Sequence, residues 1–448
     1  MTKQPTICCL LPWMEMGGAD KFNLDMIGQL TQRGWHVSII TTLPARHAWR
    51  VAFAERCNDI VDIGALPTEQ QIPALIRALL ERQPDVMFIS HSDLGYAALP
   101  IIRVQLPRTV CVDYCHIVEA DVPGYPAMSV QQHHFLDLQI VSSEQVRNWM
   151  LAHGAEAERV RVCTTNIDTA EWSAARYDRT RIRAELNIDP DAPVVLYAGR
   201  LERQKQPILA SHVFREIISA VPATRVLVAG EGKFGTYMQH SLRRWGIGCH
   251  VHMLGSVSNE RVRELLAASN IFFLPSEAEG ISLAIYEAMA MGVVTVSAAV
   301  GGQAELVTAD CGVLVPRGPH EQADYTAALL RLIREPHTMR TMGEQARQRV
   351  QKHFTLSAMG ECMHVALHDA RHLSAIQPGS RVTAADVEEA LVASERVAQR
   401  DAAIYRAKTQ ARTGTRMRNV YWHIFAERAW WLLPYAEQAR RKLRELRP

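Results

Sequence analysis

Short runs of apolar residues alternate with stretches of helical periodicity along most of the chain, and this alternation constrains the fold more than any other feature. TICCLL, HVSIITT, DVMFIS, TVCVDY and LQIVSS read as strands in the first part of the chain, and VVLYAG, TRVLVAG, HVHMLG, NIFFLP and CGVLVP repeat the pattern further on. Unbroken apolar runs of this length suit strands covered on both faces, so each series predicts a parallel sheet between two layers of helices. The intervening helices are expected over Ala19–Arg33, Gln71–Arg82, Gly95–Arg103, Glu144–His153 and Asn259–Ala268, among others. At 448 residues and 48% hydrophobic, the chain can bury two sizeable cores rather than one. Ligands of such sheets bind beyond the C-terminal ends of the strands. The loops that follow the strands are therefore where chemistry is to be sought.

The most informative of these loops follows NIFFLP and reads PSEAEGISLAIYEAMAMG. Ser276 to Gly280 make a polar turn, and Ser282 to Met291 make a helix that Gly292 ends. A helix starting just after a strand aims unpaired N–H groups and the positive end of its dipole at one point, which suits a phosphate. Glu279 precedes this helix and Glu287 stands eight residues on, about two turns along, so both fall near one face. Carboxylates beside an anion site are suited to accept from hydroxyl groups, as on a sugar and a ribose. Without context, the same pair reads as two solvated helix-end glutamates.

Other strand ends add to this. Gly17 and Gly18 stand where the first strand gives way to a helix, where a backbone without Cβ atoms can approach a phosphate or sugar, or simply turn. No G-x-G-x-x-G is present, so the dinucleotide fingerprint is absent. His91 follows DVMFIS and His116 follows TVCVDY; Asp113, three residues before His116, is a candidate acceptor for its ring N–H. VVLYAG ends on Gly199, and Arg200 and Lys205 come next. A guanidinium fork and a mobile ammonium together can neutralise a diphosphate without a metal. The Asp-x-Asp of NIDPDAP has two prolines beside it and reads as a solvated turn rather than a metal site.

Taken in order, these motifs resemble the signature of the family-4 retaining glycosyltransferases of the GT-B fold over roughly residues 5–370. The match consists of Glu279, seven residues and Glu287; a small-residue helix; a GG-x-x-E loop, here Gly301, Gly302 and Glu305; Gly199-Arg200-Leu201 followed by Lys205; and the glycine-rich first loop. The resemblance implies an α/β chain with two Rossmann-like, doubly wound domains facing a cleft. Residues 1–170 would form the acceptor side, 171–354 the nucleotide-sugar domain, 355–375 a helix returning to the first domain, and 376–448 a basic, aromatic helical tail. It implies that Glu279 contacts the donor sugar and Glu287 the ribose. The diphosphate would be held by Arg200, Lys205, Gly199 and the backbone of Gly280, Ile281, Ser282 and Leu283, with Gly17 and Gly18 facing the donor phosphate or the acceptor. His116 would border the anomeric centre, and His116, Glu279, Arg200 and Lys205 would make the catalytic set.

The implied reaction moves a sugar, with retention, from a nucleotide-diphosphate sugar to a hydroxyl of a glycan or lipid-linked acceptor in cell-surface polysaccharide synthesis. No metal and no cofactor are expected. Two departures stand out: Ile281-Ser282-Leu283-Ala284 replaces the usual aromatic-Gly-Leu-Pro, and the inter-domain Asn-Gly-Ile-Asp lacks its glycine between Asn166 and Ile167. Competing readings are a silent sugar-binding or scaffold subunit of a polysaccharide assembly complex, and a nucleotide-sugar epimerase of the same fold. A phosphorylase would need a pyridoxal lysine that the sequence does not place.

Net charge is only +2, which argues against nucleic acid as a partner. The N-terminus lacks the pattern of a signal peptide and no apolar run has the length of a membrane span, so a cytoplasmic protein is expected. Nine cysteines without a CxxC read as free thiols. From Arg406 to the end, eleven Lys or Arg face three Asp or Glu, and Trp422, Trp430 and Trp431 sit in the same stretch. Cations flanking a Trp-rich helix fit peripheral docking of 406–448 on the inner face of the cell membrane. Packing on the protein's own domains, or on a partner helix, is the alternative.

Overall fold

A computed structural model describes residues 4–118, 124–376 and 382–429. The first series of apolar runs forms a sheet of seven strands: β1 (Thr6–Leu11), β2 (His36–Thr41), β3 (Asp59–Asp62), β4 (Val86–Ser90), β5 (Val110–Cys115), β6 (Leu138–Val141) and β7 (Val160–Val162). Their order is β3-β2-β1-β4-β5-β6-β7. The second series forms a sheet of six: β8 (Val194–Ala198), β9 (Arg225–Ala229), β10 (Val251–Gly255), β11 (Ile271–Leu274), β12 (Val294–Ala298) and β13 (Gly312–Val315), ordered β10-β9-β8-β11-β12-β13. Every pairing is parallel. Helices cover both faces of each sheet, and the apolar strands are accordingly buried on both sides. Strand order reverses between β1 and β4 in the first sheet and between β8 and β11 in the second. These reversals open a crevice at the C-terminal ends of those four strands. Gly17 and Gly18 follow β1, His91 follows β4, Arg200 and Lys205 follow β8, and Glu279 follows β11.

Several elements differ from the sequence reading. The helix expected over Gly95–Arg103 is two short helices, Asp93–Ala97 and Leu99–Gln105, because Pro100 opens the second one and donates no N–H to the first. The helix expected from Gln71 begins at Thr68 and contains Pro73. The first helix spans Gly18–Gln32, and the helix after Glu279 spans Leu283–Ala290.

Two chain segments join the sheets side by side. Ile167 and Thr355 form a parallel bridge, Ile167 donates its N–H to the Phe354 carbonyl at 3.0 Å, and Leu356 donates to the Ile167 carbonyl at 3.0 Å. Asn166 donates its side-chain amide to the Thr355 carbonyl at 2.9 Å, so the join closes without the glycine usual after this asparagine. The helix Leu356–Ile376 then packs on the first helix and β5, burying Met359, Met363, Leu367 and Ala370 in the first domain's core.

A long helix, Ala384–Ala429, follows, and its described residues from Ala398 belong to a unit separate from the rest of the chain. The backbone of Arg406 to Ala429 belongs to this helix. The rest of the basic, aromatic segment, Trp430 and Trp431 included, lies outside the described residues, as do the side chains of Trp422 and Phe425.

Candidate active site

The loops after β8 and β11 are tied together before any ligand is considered. Glu277 donates its N–H to the Gln204 carbonyl at 2.7 Å, and Gln204 returns a side-chain bond to the Ala278 carbonyl at 2.9 Å. Tyr197, at the buried end of β8, donates its hydroxyl to the Lys205 carbonyl at 2.9 Å. This seating places the Lys205 ammonium on the Glu279 carboxylate as a largely buried ion pair. Arg200 stands exposed, its guanidinium reaching Gln204 at 3.4 Å. The helix beginning at Leu283 has no side-chain cap at Ser282, so the N–H groups of its first turn have no side-chain acceptor. Two cations after β8 thus stand beside a carboxylate and an uncapped helix N-terminus after the neighbouring β11.

The first domain closes over this point. A Cβ on Gly18 would lie 3.6 Å from Leu283 Cδ1, so the glycine loop after β1 faces the helix N-terminus across the crevice. Gly280 presses against the backbone carbonyl of His116, and any larger residue there would collide with it. Ser142 donates its hydroxyl to that same carbonyl at 2.7 Å. The contact between domains is therefore backbone against backbone at Gly280, which no spacing argument from the sequence could show.

His116 lies among aromatic rings: Tyr114 at 4.5 Å, His91 at 4.7 Å and Phe22 at 5.0 Å. Burial holds its pKa well below the ordinary value, and it does the same to His91, down to about 4, so both imidazoles are neutral near pH 7. The Nε2 atoms of both rings are buried without a hydrogen-bond partner. His91 is also held at φ 55°, a left-handed conformation that a histidine seldom adopts, with its ring stacked 4.5 Å from Tyr125. Asp113 does not orient His116. Its carboxylate accepts from the Tyr96 hydroxyl at 2.6 Å and lies near the Cys115 thiol. Neighbours on a strand point to opposite faces, so Asp113 faces away from Tyr114 and the His116 ring that packs on it. The His116 ring is positioned by aromatic packing instead.

Glu287 is half-buried between one cation of each domain, Lys21 and Arg263, whose charges partly offset the burial that pushes its carboxyl up to about 7. Lys21 also pairs with Asp25 at 2.6 Å, and Arg263 pairs with Glu171 and Glu260 while lying over the Trp172 ring. Neither Lys21 nor Arg263 stands out in the sequence, because nothing local distinguishes them from surface cations. The glycine loop carries a second perturbed carboxyl, Asp20, raised to about 7 by burial and hydrogen-bonded to the Trp13 indole and the Glu15 backbone. Asp189 and Asp191 of NIDPDAP lie just before β8, at the opposite end of the sheet from these loops. There Asp189 Oδ1 accepts the Asp191 N–H at 2.9 Å in an exposed turn.

Comparison with known proteins agrees with this arrangement. Residues 16–171 match the family model of Glycosyltransferase Family 4, and residues 178–349 match that of Glycosyl transferases group 1. A D-inositol 3-phosphate glycosyltransferase of Nocardia farcinica is 26% identical over 366 residues, covering 74% of this chain and 80% of that protein. The sulfoquinovosyl transferase SQD2 of Arabidopsis thaliana is 24% identical over 297 residues, covering 63% of this chain and 56% of its own length. Among solved structures, Anabaena HepE in complex with UDP superposes with a TM-score of 0.70 at 18% identity, over 81% of this chain and 100% of that one. WaaG, a glycosyltransferase involved in lipopolysaccharide biosynthesis, gives a TM-score of 0.60 at 15% identity, over 84% of this chain and 100% of that one. With family models over residues 16–171 and 178–349 and the same two-sheet architecture in solved structures, the chain belongs to the family-4 glycosyltransferases and has the GT-B fold.

Proposed function

We propose that this glycosyltransferase moves a sugar, with retention and without a metal, from a nucleotide-diphosphate sugar to a hydroxyl of a glycan or lipid-linked acceptor in cell-surface polysaccharide synthesis. The observation that carries this reading is the meeting of Lys205, Arg200 and the uncapped helix at Leu283 beside Glu279. Charge that develops on a departing diphosphate is offset there by preorganised cations and amides. Glu279 accepts from a hydroxyl of the transferred sugar, and Glu287 from the ribose. The acceptor oxygen attacks the anomeric carbon from the face the diphosphate leaves, and the acceptor's proton passes to the departing phosphate oxygen. The neutral His116 ring borders this centre and serves as a hydrogen-bond partner rather than a charge. A nucleotide-diphosphate sugar as donor is supported by relatives of the same fold whose crystals hold UDP and UDP-glucose. A surface-glycan setting is supported by WaaG.

The test is turnover of the purified chain with a panel of nucleotide-diphosphate sugars in EDTA, with the product anomer assigned by NMR. Product of retained configuration is expected, and an absolute requirement for an added divalent ion, or an inverted product, would contradict the mechanism. No helix among the described residues is long and apolar enough to cross a membrane. The cations and tryptophans of 406–448 support peripheral docking of this segment as the contact with a lipid-linked acceptor. Full-length protein should sediment with anionic liposomes at low salt and be released by salt, whereas a chain truncated after Tyr405 should not sediment. Equal binding by both would remove the tail from this role.

A further inference from the structure

Glu305 reaches out of the second domain and caps a helix of the first. One carboxylate oxygen accepts the Glu144 N–H at 2.9 Å and the other accepts the Gln145 N–H at 3.0 Å. These are the first two amides of the helix Glu144–Ala152, whose own N-cap, Ser143, accepts the Val146 N–H on its hydroxyl at 3.2 Å. The first turn of that helix is thus completed by a charge from the opposite domain, at the end of the dipole that favours an anion.

Glu305 is itself held from two sides. Arg349 donates to the Glu305 carbonyl at 2.8 Å and the Leu306 carbonyl at 2.7 Å while its guanidinium lies over Phe354, a residue of the inter-domain join. On the other side, Gly302 donates its N–H to the Gly280 carbonyl at 2.8 Å, and Gly301, at φ 57°, packs against the Glu279 carbonyl so closely that a Cβ would collide. A closed circuit results. It runs from Glu305 to the helix at Glu144, through Ser142 to the His116 carbonyl, across to Gly280, and back through Gly302 to Glu305.

We propose that Glu305 is a positioning residue for the transfer step, latching the first domain in the arrangement that brings His116 against the Glu279 loop. It touches no donor atom in this scheme, and the proposal rests on the assignment of the Glu279 loop to the donor. Loss of the latch leaves the nucleotide site of the second domain intact and lets the first domain drift from it. The defect is therefore one of turnover rather than of nucleotide affinity.

The experiment compares Glu305→Gln and Glu305→Ala with wild type in three readouts: kcat, nucleotide-diphosphate affinity by calorimetry, and radius of gyration by small-angle scattering with nucleotide bound. Glutamine preserves shape but offers one accepting oxygen and no charge. Alanine removes both bonds. The expected result is nucleotide affinity within about threefold of wild type in both variants. With it, kcat should fall about tenfold or more for alanine and less for glutamine, and the alanine variant should have the larger radius of gyration. Should the alanine variant fail to fold, the glutamine variant with Glu305→Asp carries the same comparison. Unchanged kcat, or a loss of nucleotide affinity as large as the loss of turnover, overturns the latch. Wild type that binds no nucleotide diphosphate would instead overturn the donor assignment, which separates the two failures.

Discussion

Replacing Lys205 with alanine is expected to lower kcat/KM by about 100-fold, and replacing Arg200 by about 10-fold. A hydrogen bond to a charged group contributes roughly 1.5–3 kcal/mol, which is about one to two decades in rate or affinity. The structure ranks the two cations. Arg200 is exposed and solvated, so its charge is screened and its loss leaves nothing stranded. Lys205 is largely buried against Glu279, and its removal leaves that carboxylate without its cation at the proposed diphosphate site. The anion then meets a lost attraction and a new repulsion together. Lys205→Arg should recover only part of the loss, because a larger, planar guanidinium replaces a compact ammonium that is largely buried on Glu279. Steady-state kinetics with the natural donor, together with calorimetry of the bare nucleotide diphosphate, provides the measurement. Normal kinetics in both alanine variants would take the phosphate role away from this loop.

Much of the fold is legible in the sequence because parallel strands buried on both faces leave long apolar runs, as TICCLL does in β1. Strands that lack this signature do not stand out. Asp59–Asp62 is an edge strand, half-buried throughout and charged at both ends. Val294–Ala298 is interior, but Thr295 and Ser297 interrupt its apolar run. The Ser297 hydroxyl is nevertheless buried, because it donates to the Leu274 carbonyl of the neighbouring strand at 2.7 Å. Single residues of the site are visible where a strand ends in glycine or a charge, as at Gly199 and Glu279. Contacts between them are not. Lys205 and Glu279 are 74 residues apart and meet only because β8 and β11 are neighbours in the sheet. The cap that Glu305 places on Glu144 and Gln145 depends on how two separate domains face each other, which no local pattern encodes. The misreading of Asp113 has the same origin. Three residues of separation look close in sequence, yet Asp113 turns to Tyr96 while His116 packs on Tyr114, which points to the other face of the strand.

Glu287→Gln is expected to make the protein more stable at pH 8 and, at the same time, a weaker binder of nucleotide. Burial raises the Glu287 carboxyl from its ordinary 4.5 to about 7, with Lys21 and Arg263 pulling the other way. Between those two values the folded protein holds a proton that the unfolded chain releases. Stability therefore falls as pH rises through this window, and the penalty is complete above the folded value. Glutamine does not titrate. The variant should melt higher than wild type at pH 8 and lose that advantage as pH drops toward 4.5. A gain of about 2 kcal/mol is the scale, since each pKa unit is worth 1.36 kcal/mol and solvent at a half-buried carboxylate reduces the full shift. Ligand binding has the opposite sign. Ribose hydroxyls donating to the carboxylate favour its ionised form, so wild-type affinity for a nucleotide diphosphate should climb between about pH 6 and 7.5 with release of a proton to buffer. In the variant this pH dependence should disappear and affinity at pH 8 should fall about tenfold. Melting curves across pH, and calorimetry in two buffers of different ionisation heat, measure both halves. A stability gain with unchanged affinity would make Glu287 a buried carboxylate with no part in the ribose site. A carboxylate that costs stability where it stands and improves binding is what a site residue, kept against the interest of the fold, should look like.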